Sequence, residues 1–119
     1  MKTNRSNKGF TLVEIMIVTI IIGLLAAMAL PMWMKIRAAS QEKIIINNLR
    51  QLSSAAQQYY MEHGVSTAGQ ADLVGTDKYV KVIATVAGEN YPLTYNQTDT
   101  AIVATGSAVP GKPDISFAN

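Results

Sequence analysis

The sequence predicts an α+β protein: one long amino-terminal helix, apolar in its first half and amphipathic in its second, packed by a small carboxyl-terminal antiparallel β-sheet head. Three observations carry this prediction. Residues 15–34 are twenty consecutive residues without a charged side chain, rich in Ile, Leu, Val, Met and Ala. Beyond them, apolar residues recur at spacings of four and three, the period of a helix with one buried face. After Gly64 the pattern changes to short β-branched and aromatic runs separated by Gly, Pro, Asn and Asp.

Residues 1–9 are short, polar and basic, with Lys2, Arg5 and Lys8. A secretory signal peptide places its apolar core before the cleavage point; here the apolar run follows Gly9 and is retained. As a helix rising 1.5 Å per residue, the run at 15–34 spans about 30 Å, the hydrocarbon thickness of a bilayer. Glu14 sits at its leading end, an expensive place for a carboxylate and one that asks for a partner. Thr11-x-x-Glu14 also fits a capping box, and an acid in the first turn favours the helix dipole. Gly23 and Pro31 interrupt the run. In a soluble helix interior they cost about 1 and 3 kcal/mol relative to Ala, and Pro31 deprives the Ala27 carbonyl of its backbone donor. Membrane helices tolerate both residues, so the alternatives are mere tolerance and a segment built to loosen.

The stretch Lys8-Gly9-Phe10-Thr11-Leu12-Val13-Glu14 followed by an apolar run resembles the prepilin signal of type IV pilins and of type II secretion pseudopilins. The resemblance covers about the first half of the chain. It implies a pilin-like fold, removal of residues 1–9 as a leader by a membrane-embedded peptidase that cuts between Gly9 and Phe10, and N-methylation of Phe10 by the same enzyme. It further implies that Glu14 pairs with the terminal amine of a neighbouring subunit and that the helix loosens between Gly23 and Pro31. The implied partners are other copies in a homo-oligomeric filament, the peptidase/N-methyltransferase and a membrane assembly platform. The implied location is the bacterial inner membrane, single-pass, before assembly, and a periplasmic or cell-surface filament afterwards. Many pilins have a disulfide in the carboxyl-terminal region; this chain contains no Cys and departs from that pattern.

Residues 10–34 are thus expected to form the transmembrane and filament-core helix, and residues 35–64 its amphipathic continuation. A helix continuous from Phe10 to His63 is about 80 Å long. Ile45, Leu49, Leu52, Ala56 and Tyr59 form the apolar stripe, and Gly64 after His63 reads as the C′ cap. Ile44-Ile45-Ile46 is wider than one stripe needs, which leaves contact on two faces or two of the three under the head. In the head, residues 65–119, Thr67-x-x-Gln70 reads as the cap of a short helix ended by Gly75. Residues 79–86 read as a strand, and residues 93–96 and 100–105, flanking Gln97-Thr98-Asp99, as a hairpin. Val109-Pro110-Gly111-Lys112-Pro113 cannot be regular structure, and the tail beyond it carries a weak pattern.

The formal charge of +2 is misleading, because three of the ten basic residues lie in the leader. Cleavage leaves seven basic and eight acidic residues, a net of −1, with no electrostatic footprint for nucleic acid. Lys35, Arg37, Lys43 and Arg50 still make a local basic stretch suited to lipid headgroups or to acidic faces of neighbouring helices. Without Cys there is no disulfide, thiolate metal site or lipoprotein-type anchor. The single His, His63, has no second His beside it, and Asp72, Asp77, Glu89, Asp99 and Asp114 are scattered, without a D-x-D-x-D-G calcium loop. Secretion pseudopilins commonly carry calcium in this region; no motif for it maps here, and no cofactor is assigned. Nothing supplies a nucleophile with a base and an orienting partner, so the chain does not read as an enzyme. The reading taken is a structural subunit of a type IV pilus-like filament. The alternatives are a type II secretion pseudopilin and a monomeric bitopic membrane protein with a small ligand-binding head.

Overall fold

The structure, a computed structural model, describes residues 8–119. Residues 1–7 of the expected leader, with Lys2 and Arg5, lie outside the described residues. In chain order the elements are α1 (Leu12–His63), β1 (Thr67–Gly69), α2 (Gln70–Leu73), β2 (Thr94–Asn96), β3 (Ala101–Ala104) and β4 (Ile115–Ala118). One long helix and small antiparallel sheets give the α+β, pilin-like arrangement that the sequence predicts. The chain divides into two compact units, Met1–Ile36 and Arg37–Asn119.

The described part of the first unit is a short stretch without regular structure followed by helix, with every residue from 8 to 36 exposed. α1 runs on without a break in helical backbone through Gly23 and Pro31, although Pro31 has no N–H to donate to the Ala27 carbonyl. In the second unit, α1 buries Ile45, Leu49, Leu52, Ala55, Ala56 and Tyr60 as one stripe. Tyr60 is fully covered, whereas Tyr59 is only half-buried. Of the three consecutive isoleucines, Ile45 is buried, Ile46 packs against the core and Ile44 faces out. Gly64 closes the helix with φ of 63° and its N–H bonded to the Tyr60 carbonyl at 2.9 Å, a conformation that favours glycine.

The head covers this stripe with Leu73, Tyr91, Tyr95, Ile102, Val109 and Ile115. β1 and β2 pair antiparallel, with Ala68 opposite Tyr95; β3 and β4 pair antiparallel, with Ile102 opposite Phe117 and Ala104 opposite Ile115. Ile102 and Ala104 of β3 point into the core while Ala101 and Val103 face out, the period-two alternation of a strand with one covered face.

Three expectations for the head are corrected. Thr67 does not cap α2: it lies in β1 opposite Asn96, and the Asp72 carboxylate instead accepts the Gly69 N–H at 3.1 Å. Pairing the Thr67 backbone in a ladder competes successfully with using its side chain as a cap. Residues 79–86 are not a strand; only Val80 makes a bridge, to Val74. Val80 is bonded to backbone at Leu73 and Gly75, whereas the Ala84 and Val86 carbonyls and the Val86 N–H are taken by side chains, as described below, and among the described residues no strand pairs with this run. The runs at 93–96 and 100–105 do each hold a strand, but not as a hairpin: β2 pairs back to β1 and β3 pairs forward to β4. A turn closed by Asp99 N–H to the Asn96 carbonyl at 3.1 Å redirects the chain between them. The weakly patterned tail is β4, anchored by buried Ile115. The Val109–Lys112 turn before it is irregular, as the two prolines require, with Gly111 at φ 75°.

Candidate assembly segment

The chain enters α1 through a reciprocal cap. The Thr11 N–H donates to Glu14 Oε2 at 3.2 Å, and the Glu14 N–H donates to Thr11 Oγ1 at 3.2 Å. Two of the orphan N–H groups at the helix start are thereby satisfied. Glu14 Oε2 is engaged within its own chain, in an exposed position. The Phe10 side chain, just outside the cap, is 88% exposed. While the Gly9–Phe10 peptide bond is intact, the Phe10 nitrogen is an uncharged amide; a charged amine arises there only on cleavage.

From Leu12 onward the helix presents apolar side chains on every side. Leu12, Ile15, Ile22, Leu25, Met28 and Trp33 are all more than half exposed. Covering one such side chain completely is worth about 1.5–3 kcal/mol, so the seventeen large apolar side chains exposed between Leu12 and Ile36 are strongly unfavourable in water. The backbone, apart from the Ala27 carbonyl facing Pro31, is satisfied within the helix, which permits a hydrocarbon environment. Thr19 adds its hydroxyl to this economy, donating to the carbonyls of Ile15 and Met16. By length and composition, α1 qualifies to cross a membrane, and none of its apolar window is buried. A Cβ built at Gly23 meets nothing within 4 Å, so nothing in the single chain demands glycine there.

The other residues singled out in the sequence lie in the second unit. His63 stacks on Tyr59, ring centroids 4.2 Å apart, with Nδ1 3.2 Å from the Tyr59 carbonyl. The Arg50 guanidinium lies 5.6 Å from the Phe117 ring centroid, a cation–π arrangement. Asp72 and Asp99 serve local turns. Among the described residues, no three His, Cys, Asp or Glu side chains come together in a way that could hold a metal ion.

Composition and spacing gave no warning of Glu89, the most consequential polar residue of the head. It is 2% exposed. Its carboxylate accepts the Ala87 N–H at 2.8 Å, the Val86 N–H at 3.2 Å and the Tyr91 hydroxyl at 2.8 Å. Asn48 of α1 donates to the Tyr91 oxygen at 2.9 Å and to the Ala84 carbonyl at 3.1 Å, and Gln41 donates to the Val86 carbonyl at 3.0 Å. Burial pushes the Glu89 carboxyl up, but the hydrogen bonds from Ala87, Tyr91 and Val86 outweigh it and hold the group below its ordinary value. The Tyr91 hydroxyl is pushed up to about 12 by burial and by the hydrogen bond it donates to the Glu89 carboxylate. Polar residues on the helix flank at 41 and 48 and an acid two positions before a tyrosine were the available signals; neither is specific. Together they fasten residues 84–91 to α1 in a chain that has no disulfide to do so.

The exposed apolar helix entered through Gly9-Phe10 and Glu14 lies in a stretch shared with known chains. Residues 4–30 match the family model described as the prokaryotic N-terminal methylation motif. The chain is 40% identical over 101 residues to the fimbrial protein EcpC of Eikenella corrodens, covering 80% of this chain and 65% of that one. It is 40% identical over 86 residues to the type IV major pilin protein PilE of Neisseria gonorrhoeae, covering 67% and 52%. With the type IV major pilin protein PilA of Myxococcus xanthus it shares 44% identity over 59 residues, 50% of this chain and 27% of that one. The chain thus spans between about a quarter and two thirds of the length of these relatives. No solved structure matches it significantly. The motif and these relatives support a type IV pilin family assignment.

Proposed function

We propose that this chain is a structural, non-enzymatic subunit of a type IV pilus-like filament. It is made as a prepilin, cut between Gly9 and Phe10, N-methylated on Phe10 and polymerised through its apolar helix. The observation that carries the reading is the uncovered helix itself: every side chain from residue 8 to 36 is exposed in the single chain, next to a family-matched processing motif. Such a surface needs lipid before assembly and neighbouring helices afterwards. The subunit is therefore stored as a single-pass protein of the bacterial inner membrane, released into the filament by a membrane assembly platform, and displayed in a surface filament. The named relatives are a fimbrial protein and major pilins, which favours the pilus over a secretion pseudopilus.

On this reading Glu14 has two successive partners. In the monomer it caps its own helix. In the filament it compensates the methylated amine of the next subunit, since a carboxylate and an ammonium are each costly alone in an apolar core. Gly23 and Pro31 mark a segment whose helix loosens on assembly, where Pro31 supplies no N–H for the Ala27 carbonyl. The test is the mass of the subunit in purified filaments: a chain beginning at Phe10 and one methyl group heavier is expected. Assembled subunits that retain Met1 would refute the processing step.

A further inference from the structure

Two surface grooves of opposite charge lie on the unit Arg37–Asn119 and share Tyr79. The first runs between α1, at Arg50, Ser54 and Gln58, and the loop at Lys81 and Val82; its charged side chains are Arg50 and Lys81, both basic. The second lies at the carboxyl end of α1 and holds Glu62, Asp72 and Asp77 with His63 and Lys78. Neither charge set is taken up by an ion pair among the described residues. Lys81 and Asp77 are exposed and enter no ion pair among the described residues. Arg50 rests on Phe117, and Glu62 accepts hydrogen bonds from Tyr79 and Gln58, contacts that leave both charges in place. Beside Lys81, Val82 offers a 72% exposed apolar side chain.

Helix geometry separates the two surfaces. At 100° and 1.5 Å per residue, the α1 residues of the acidic groove lie about 100° around the axis from those of the basic one, and Glu62 about 18 Å beyond Arg50. Although both grooves border Tyr79, no ion pair joins the two charge sets among the described residues of one chain. Complementary surfaces displaced both along and around an axis make a heterologous contact, which joins copies head to tail into an open array.

We propose that the Arg50–Lys81 groove of one copy receives the Glu62–Asp72–Asp77 surface of a second copy, a contact between heads that sets the stagger of neighbouring subunits. This rests on the filament reading, and charge complementarity between the two surfaces selects a second copy as the occupant. Exposed ion pairs are screened over about 10 Å at 0.1 M salt, so the contact weakens as salt rises.

The test uses the full chain and reverses one charge at a time at Lys81 and Asp77, which enter no ion pair among the described residues. At low salt, Lys81→Glu and Asp77→Lys are each expected to lower filament yield several-fold, and the two reversals in one chain to restore it. Single variants that assemble like wild type, or a double variant no better than the singles, overturn the contact. If a reversal disturbs the head, seen as loss of the tyrosine near-ultraviolet dichroism, cysteines decide instead, because the chain has none of its own. Filaments mixed from Lys81→Cys and Asp77→Cys copies should give a covalent dimer on oxidation, and filaments of either variant alone should not. Absence of the mixed dimer, or dimers from one variant alone, overturns the contact. A wild-type chain that forms no filaments at all refutes the filament reading instead.

Discussion

Replacing Glu89 by Gln removes a charge and almost no volume, so it isolates the electrostatic part of the clasp on the head. The carboxylate accepts from three donors: the Ala87 and Val86 N–H groups and the Tyr91 hydroxyl. A neutral amide keeps one acceptor oxygen and turns its NH2 toward at least one of these donors. Hydrogen bonds to a charged acceptor contribute about 1.5–3 kcal/mol each, and a buried donor left unpaired costs about 1–3 kcal/mol. Since part of the network survives through Asn48 and Gln41, the expected loss for E89Q is about 2–4 kcal/mol. The assay is urea unfolding of the full chain in detergent micelles, followed by tyrosine near-ultraviolet dichroism, because Tyr60, Tyr91 and Tyr95 line the core. The pH dependence has a definite sign. The folded carboxyl lies below its ordinary value of 4.5, so on acidification the unfolded chain takes up the proton first. The advantage of wild type over E89Q is therefore full above 4.5 and shrinks as pH falls through the lowered folded value. An E89Q variant within experimental error of wild type near neutrality, or a gap that stays constant in acid, would refute the reasoning.

Two further outcomes follow from the same structure. The Tyr79 hydroxyl is pushed up to about 12 by its hydrogen bond to Glu62, Tyr91 to about 12 mainly by burial, and Tyr95 is raised by burial as well. Ultraviolet titration of the folded chain should therefore lag that of the urea-unfolded chain, and stability should fall as pH rises from 10 toward 12; coincident curves would contradict this. If Gly23 and Pro31 bound a segment poised to loosen, Pro31→Ala should raise amide protection at residues 26–30 in micelles, whereas equal, strong protection in both forms would remove that role.

What was legible in the sequence was what periodicity and local chemistry determine. The uncharged run, the stripe through Ile45, Leu49, Leu52 and Ala56, and the Gly64 cap each follow from spacing or from a single residue's backbone freedom. The Thr11–Glu14 box could be read because both partners lie within one turn. The head was harder, since strand pairing is non-local. Residues 93–96 and 100–105 carry strand-like composition, but nothing in either run says that the partners are β1 and β4. Residues 79–86 have the β-branched composition of a strand, yet β propensity expresses fit to a pleated, half-buried surface. Here Lys81, Val82, Ala84 and Thr85 are exposed, and the Ala84 and Val86 carbonyls are taken by Asn48 and Gln41. Glu89 was invisible for the same reason: its burial depends on residues about forty positions away in α1.

The most direct measurement for the central claim is filament yield from Glu14→Gln at wild-type subunit level, with processing at Gly9 verified by mass. A helix cap needs only an acceptor oxygen, which the amide keeps, so a purely capping Glu14 tolerates the change. Compensation of a neighbour's amine in an apolar core needs the anion. The account predicts that E14Q subunits are cut, methylated and inserted normally but assemble into few filaments. Normal filament yield from fully processed E14Q subunits would contradict it.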